Sequence, residues 1–250
     1  MVIAHATDLT GDDAAAFIHA SALAAASTSR LVTVHGNAAP DTASQLPDAT
    51  ELAIRWTRTI DHVRVCHEYC DEVEDTVIDA IHKLKPGLVV LGTHARHGLR
   101  ALVHASVGEA IARNLTVPAL IVPNQSRGFV DAATGAIDLH RILIPAGNVT
   151  QAQRGLAAAR SLLALAGVAN AELEIVHVGG DDPAIAELGV SVMRVSGDLE
   201  TAIVGAAKER RACLIVMPTR GHDSVGDVLL GSHTEHVIRD AECPVLSVPS

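Results

Sequence analysis

The chain has 250 residues, a length that fits one large domain or two of ordinary size. It is 48% hydrophobic, which suffices for a substantial core and argues against disorder. A formal net charge of −10 and an aromatic content of 2% argue against a nucleic acid partner and against a ligand held mainly by aromatic stacking.

The chain shows no sign of a membrane or secreted protein. No apolar run approaches the roughly 18 residues of a membrane span, and the first ten residues carry no basic leader. Four cysteines are too few for a disulfide scaffold of this size. We therefore expect a soluble cytoplasmic protein of a reducing compartment, without a membrane partner.

Short β-branched apolar runs alternate with helical stretches along the chain, which is the pattern of β-α-β units and a parallel sheet. Capped helix starts are predicted at Thr10-x-x-Asp13 and Thr150-x-x-Gln153, and another helix near 49–58. Strands are predicted near 2–7, 31–35, 62–66, 88–92, 118–122, 141–145, 172–177, 190–195, 213–217 and 244–248.

The chain contains an internal repeat. Residues 92–123 and 218–249, 126 residues apart, align without a gap. A repeat of this length indicates two domains. We predict an α/β fold of two tandem domains, each a five-stranded parallel sheet with helices on both faces, with domain 1 at 1–124, a linker at 125–139 and a shortened domain 2 at 140–250. The identical pairs are Thr93/Thr219, Ser106/Ser232, Glu109/Glu235, Arg113/Arg239, Pro118/Pro244, Leu120/Leu246, Val122/Val248 and Pro123/Pro249.

The loop after the fourth strand of each half is a candidate phosphate site. Ligands of parallel sheets bind beyond the carboxyl ends of the strands, and glycines before a helix N-terminus suit phosphate. Gly221, Gly231 and Ser232 follow this pattern. Ser106-x-x-Glu109 and Ser232-x-x-Glu235 are also capping boxes, so helix capping explains both serines without a ligand. Both interpretations stay open.

The motifs resemble those of the universal stress protein family. The family's G-x-x-G-x9-G-[ST] loop is similar to "GTHARHGLRALVHAS" at 92–106 and "PTRGHDSVGDVLLGS" at 218–232. "ATDLT" stands at the family's first-strand motif, and "TVHG" and "IVHVG" at the end of its second strand. The resemblance implies an adenine-nucleotide alpha-hydrolase-like fold, a regulatory role in the stress response, and binding of ATP or AMP, with Mg²⁺ as a possible companion.

The resemblance also implies the site residues. In the second half, Pro145 and Val178 would flank the base, and the phosphates would be held by Gly221, Gly231, Ser232, His233 and Thr234. In the first half, Asp8 would bind ribose, Gly36 would lie near the base, and Gly92, Ser106 and Val107 would belong to the phosphate side. Each half departs from the family pattern, with Ala95 and Ala105 in the first and Gly147 and Pro218 in the second.

Cys66, His67 and Cys70 lie close together in the sequence. Two thiols and an imidazole could ligate zinc, and Cys66 and Cys70 could form a redox pair. Local cysteines often simply pack, however, and zinc is not the favoured cofactor. Possible fourth ligands are His94, His97 and His104. Cys213 and Cys243 are predicted to be core residues.

No catalytic constellation can be read from the spacing. Asp223 and Asp227 could help to hold Mg²⁺, but neither glycine loop contains the Lys that phosphoryl transfer generally needs. We expect at most weak ATP hydrolysis. Three functions stay open: a nucleotide-binding stress regulator, a nucleotide-free dimerisation or interaction module, and a zinc- or redox-responsive protein. The expected assembly is a homodimer of tandem chains.

Overall fold

The strands of the computed structural model agree with those predicted from the sequence. The structure describes residues 1–36, 42–67, 72–93, 115–124, 126–178, 183–218 and 232–249. The strands are β1 Val2–Ala6, β2 Arg30–Gly36, β3 Asp61–His67, β4 Leu88–Thr93, β5 Ala119–Pro123, β6 Arg141–Pro145, β7 Glu172–Val178, β8 Ser191–Val195, β9 Leu214–Pro218 and β10 Val245–Val248.

The described helices lie between these strands. They are α1 Ala14–Ser27, preceded by a 3₁₀ turn at Gly11–Asp13, α2 Ala49–Trp56, α3 Val73–Leu84, α4 Val149–Ala166, α5 Pro183–Ala186, α6 Leu199–Arg210 and α7 Ser232–Asp240. Among the helices in the described ranges, none is long and apolar enough to cross a membrane.

The strands form one ten-stranded sheet in the order β3-β2-β1-β4-β5-β10-β9-β6-β7-β8. Strands within each half are parallel, as predicted. The halves meet where β5 and β10 pair antiparallel, with Val245 opposite Ile121 and Leu246 opposite Leu120. The two predicted five-stranded sheets therefore join edge to edge.

Helices cover both faces of this sheet, because alternate strand residues point to opposite sides and both sets are apolar. On one face Ile3 packs with Phe17 of α1, and this core continues through α2, α4 and α5. On the other face Ala4 packs with residues of α3, α6 and α7. Helix α1 contacts α4 across the junction of the halves.

Neither predicted helix cap forms as expected, although Thr10 does lie at the N-cap position of the 3₁₀ turn. Thr10 makes no side-chain cap hydrogen bond, and the carboxylate of Asp13 turns back to the loop after β1 instead of capping α1. In the second half the N-cap is Asn148, whose side chain accepts from the backbone N–H of Gln151. The sequence pattern could not choose among neighbouring polar residues because each can cap a helix.

The predicted linker docks on the first half. Val130 and Ile137 form an antiparallel bridge. The indole Nε1 of Trp56 donates to the Ala132 carbonyl at 3.2 Å. The backbone N–H of Phe129 donates to Nε2 of His19 at 3.1 Å, and the two rings are edge-to-face. The domain boundaries themselves stay a prediction.

Two histidines are buried in the core of the first half. Burial, with a smaller contribution from His62, lowers the pKa of His5 to about 3. Neither ring nitrogen of His5 has a hydrogen-bond partner among the described residues. Burial also lowers the pKa of His19 to about 4, although its hydrogen bond to the Ala15 carbonyl opposes this. Both imidazoles are therefore neutral at pH 7.

The free energy of unfolding should fall as pH is lowered from 6.5 towards 4. In this window the unfolded chain, whose histidines have the ordinary pKa of 6.5, binds protons that folded His5 and His19 do not. The loss should approach about 1.4 kcal/mol per pH unit for each histidine. Urea denaturation at several pH values measures it.

The variant His5→Leu should flatten this slope and stabilise the protein at pH 7, because it removes two buried ring nitrogens that have no partner. His19→Leu should flatten the slope as well but destabilise at pH 7, because the N–H of Phe129 loses its acceptor. An unchanged slope in His5→Leu would contradict the assignment.

Candidate nucleotide site

The strand order brings the predicted residues of each half to one edge of the sheet. In the first half β1 lies between β2 and β4, and in the second β6 lies between β7 and β9. In each half the second strand therefore lies on one side of the first strand, and the fourth strand lies on its other side. This reversal makes a topological switch point at the carboxyl ends of the strands. Asp8, Gly36 and Gly92 lie at the first such edge, and Pro145 and Val178 at the second.

The loop after β1 presents Asp8. The side chain of Asp8 is exposed, and its Oδ1 accepts from the backbone N–H of Thr10 at 2.9 Å and from the Thr10 hydroxyl at 2.6 Å. Between them Leu9 has a φ of 64°, a left-handed conformation that is uncommon for Leu. The carboxylate of Asp8 is thus held in one place on a tight turn.

Behind this loop lies Asp13, whose contacts were not foreseen from the sequence. It is 4% exposed. Its Oδ2 accepts from the Thr7 hydroxyl at 2.7 Å and from the backbone N–H of Asp8 at 3.1 Å. Its position shortly after the first strand is the only sequence signal that could have suggested these contacts.

Gly92 faces Asp13. A β-carbon added at Gly92 would lie 2.0 Å from Oδ1 of Asp13. Gly36 is also constrained, though less tightly, since its added β-carbon would lie 2.9 Å from Cγ1 of Val73 on α3. Packing within the protein therefore requires both glycines. The resemblance had implied a ligand as the reason.

In each half, one histidine of the second strand forms a hydrogen bond to the loop that follows the first strand. Nδ1 of His35 donates to the Thr7 carbonyl at 2.7 Å, and Nδ1 of His177 donates to the Ala146 carbonyl at 2.8 Å. Each donor lies one residue before the predicted base-flanking position, Gly36 or Val178. These hydrogen bonds set the spacing between the two strand ends where a base would lie.

The loop after β6 is held by hydrogen bonds to Gln151, in the first turn of α4. The backbone N–H of Gly147 donates to Oε1 of Gln151 at 2.8 Å, and Asn148 accepts from the N–H of Gln151. Pro145 is buried at the strand end and Val178 is half-buried beside it. This edge has no carboxylate at the position that Asp8 occupies in the first half, since Gly147 stands there.

The first turn of α7 lies towards the carboxyl edge of the second half, because α7 leads back into β10, which runs parallel to β9. Thr234 is buried. Nδ1 of His233 lies 2.7 Å from Oε1 of Glu200, and Nδ1 of His236 lies 3.4 Å from the same oxygen. The hydrogen bond with His233 lowers the pKa of Glu200. The His233 side chain is thus already engaged by the protein.

Several predicted residues lie outside the described part of the chain: Gly221, Gly231, Ser106, Val107 and Cys70, together with the side chain of Ser232. Asp223 and Asp227, the candidate Mg²⁺ ligands, lie outside it as well.

The cysteines divide into two kinds. Cys66 and His67 are consecutive residues of β3, so their side chains point to opposite faces of the sheet, which does not suit two ligands of one ion. Within the described ranges, no group of three or more potential ligands is placed to hold a metal ion. Cys213 and Cys243 are buried core residues, as predicted, and burial raises the pKa of Cys243 to about 12.

Comparisons with known proteins show which proteins this chain is similar to. A family model described as "Universal stress protein family" matches residues 1–123 and 181–249. A universal stress protein of Thermus aquaticus is 51% identical over 47 residues, which are 19% of this chain and 34% of that protein. Another, from Methanocaldococcus jannaschii, is 50% identical over 46 residues, 18% of this chain and 27% of that protein. The match spans about a third of the length of these relatives.

Solved structures resemble the whole chain in fold. A universal stress protein from Archaeoglobus fulgidus superposes with a TM-score of 0.61 at 19% identity, covering 99% of this chain and 98% of that one. A functionally unknown protein from Pseudomonas aeruginosa superposes with a TM-score of 0.71 at 16% identity, covering 99% and 92%. At these identities the likeness concerns the fold alone.

The two strand-end histidines should differ in their contribution to stability. His177→Leu should lower the free energy of unfolding by about 1–3 kcal/mol, because it removes the donor to the buried carbonyl of Ala146. The matched variant His35→Leu should lower it by less, because Thr7 is only half-buried and water can replace the donor. Urea denaturation compares the two, and equal losses would contradict this account.

Proposed function

The chain belongs to the universal stress protein family, and we propose that it is a stress-response regulator of the cytoplasm that binds ATP or AMP in at least one half, without dedicated catalysis. The observation that supports this most is the switch point between β1 and β4, where an exposed carboxylate, Asp8, is held on a tight turn. Open parallel sheets bind their ligands in this crevice.

In the first half the nucleotide would be bound by its sugar and base. The carboxylate of Asp8 is a suitable acceptor for ribose hydroxyl groups. The base would lie against the end of β2 at Gly36, whose spacing from the loop is set by the hydrogen bond from His35. Ser106 and Val107 would lie near the phosphates, on the side of Gly92.

In the second half the phosphates would be bound most strongly. A helix N-terminus has free backbone N–H groups and partial positive charge, which favour phosphate. Ser232, His233 and Thr234 form the first turn of α7. Gly221 and Gly231 would let the phosphates approach the backbone. Pro145 and Val178 would flank the base, and Mg²⁺ would accompany ATP.

A nucleotide-free interaction module of the same fold is the second candidate. The replacement of the family's Asp by Gly147 and of its first loop glycine by Pro218 favours it in the second half. Under either function we propose a homodimer of tandem chains. Sedimentation equilibrium should then give twice the mass of the chain, and a monomer at all concentrations would refute the dimer.

Calorimetry and thermal shift with ATP and AMP, with and without Mg²⁺, test the proposal. A nucleotide that binds only the folded protein should stabilise it by about 2.7 kcal/mol at a hundred times its dissociation constant. Absence of binding heat and of any shift with both nucleotides would leave the interaction module as the function.

Variants identify which half is occupied. Asp8→Ala should weaken binding in the first half. Gly231→Asp should weaken binding in the second, because it adds a side chain and a negative charge where phosphate would approach. Gly205→Asp is the matched control for the added charge, since no residue that the structure describes outside this helix comes within 4 Å of a β-carbon at Gly205. Full affinity in both Asp8→Ala and Gly231→Asp would exclude the proposed sites.

A further inference from the structure

The buried carboxylate of Asp13 joins the loop after β1 to the end of β4. Its Oδ2 accepts from Thr7 and from the backbone N–H of Asp8, and its Oδ1 occupies the space beside Gly92. The Thr7 hydroxyl in turn accepts from the backbone N–H of Leu9 at 2.9 Å. A chain of hydrogen bonds thus leads from Asp13 to the residue that follows Asp8.

The second half shows what the same scaffold does without this carboxylate. The first helices of the two halves correspond at an offset of 139 residues, at which several of their buried positions coincide. The coinciding pairs are Ala16/Gly155, Phe17/Leu156, Ala20/Ala159 and Leu23/Leu162. At this offset Asp13 corresponds to Ala152, and the repeat aligns Gly92 with Pro218.

In the second half the positions that correspond to the carboxylate and the glycine are both apolar and buried. Ala152 is completely buried, and Pro218 is buried at the end of β9. A β-carbon added at Gly155 would lie 3.0 Å from Cγ of Pro218 and 2.4 Å from Cγ2 of Ile144, so this helix packs tightly against both strands. The exchange therefore involves both partners, a carboxylate with glycine in one half and alanine with proline in the other.

The conformation of the first loop needs such support. The left-handed φ of Leu9 is unfavourable for a branched side chain and persists only where the surroundings enforce it. Leu9 is buried, its carbonyl accepts from the backbone N–H of Gln45, and its own N–H is bound to Thr7. Asp13 is the acceptor that fixes Thr7 and the N–H of Asp8 at once.

We infer that Asp13 is a positioning residue for the nucleotide site of the first half, because it holds the loop of residues 7–10 in the conformation that presents Asp8 to a ribose. This inference rests on the proposed function of that half. Asp13 itself is buried behind the loop and acts through Asp8.

The test compares Asp13→Ala and Asp13→Asn with Asp12→Ala, which removes the neighbouring carboxylate that accepts from the side-chain amide of Asn124. In ligand-free Asp13→Ala, exchange of the Asp8 amide proton, followed by NMR, should accelerate about tenfold or more. In Asp13→Asn, which keeps an acceptor oxygen, exchange should be intermediate. Asp12→Ala should exchange as the wild type does.

The affinity for AMP should fall about tenfold in Asp13→Ala, and the preference for AMP over 2′,3′-dideoxy-AMP should disappear, since Asp8 is no longer presented. A merely structural role would lower the melting temperature without changing this preference. Wild-type amide exchange and wild-type preference in a folded Asp13→Ala, or in Asp13→Asn if the alanine variant does not fold, would overturn the inference.

Gly92 provides an independent check. Gly92→Ala should lower the melting temperature, because its methyl group meets the carboxylate of Asp13. The double variant Asp13→Ala/Gly92→Ala should melt higher than Gly92→Ala, and a lower value would contradict the packing. If the wild type binds neither ATP nor AMP, the proposed function fails, whereas exchange of the Asp8 amide still decides whether Asp13 positions the loop.

Discussion

The antiparallel pairing of β5 with β10 is the constraint on which the rest of the arrangement depends. Both strands are buried along their length. Alone, each half would expose an apolar edge strand with unpaired backbone groups, a surface that invites aggregation. Pairing Ile121 with Val245 and Leu120 with Leu246 removes both edges and brings α1 against α4. Phe129 of the linker in turn donates its backbone N–H to His19 of α1.

The same pairing separates the two candidate sites. Because the strands of each half run parallel to one another and β5 opposes β10, the carboxyl ends of the halves point in opposite directions. Each switch point is therefore formed by its own half, and one ligand cannot bridge both. Such independence allows one edge to change without a matching change in the other.

The two edges have diverged in a physically consistent way. A buried carboxylate is tolerated only where hydrogen bonds satisfy it, and Asp13 has donors in Thr7 and Asp8. Its volume requires that residue 92 be glycine. In the second half Ala152 and Pro218 stand at the corresponding positions, and neither side chain needs a hydrogen-bond donor. The first half thereby keeps the loop that carries Asp8 hydrogen-bonded in place, whereas the second half gains only apolar packing.

The sequence by itself determined the strands, the repeat and the parallel arrangement of each half. Short β-branched runs such as 88–91 and 214–217 are local signals, and the repeat needs no coordinates. The sequence also identified the carboxyl-edge residues, since the ends of parallel strands share an edge. Packing explains why Gly36 and Gly92 are glycines, whereas the family resemblance only placed both at the nucleotide site.

Only the tertiary structure decided which polar groups meet. The contacts of Asp13 with Asp8 and of Phe129 with His19 depend on where the side chains point in the folded chain. The cap of α4 lies at Asn148 and not at the predicted Thr150, because several adjacent polar residues have equal local propensity to cap. The pairing of β5 with β10 likewise joins strands more than a hundred residues apart, and no local pattern specifies such a contact.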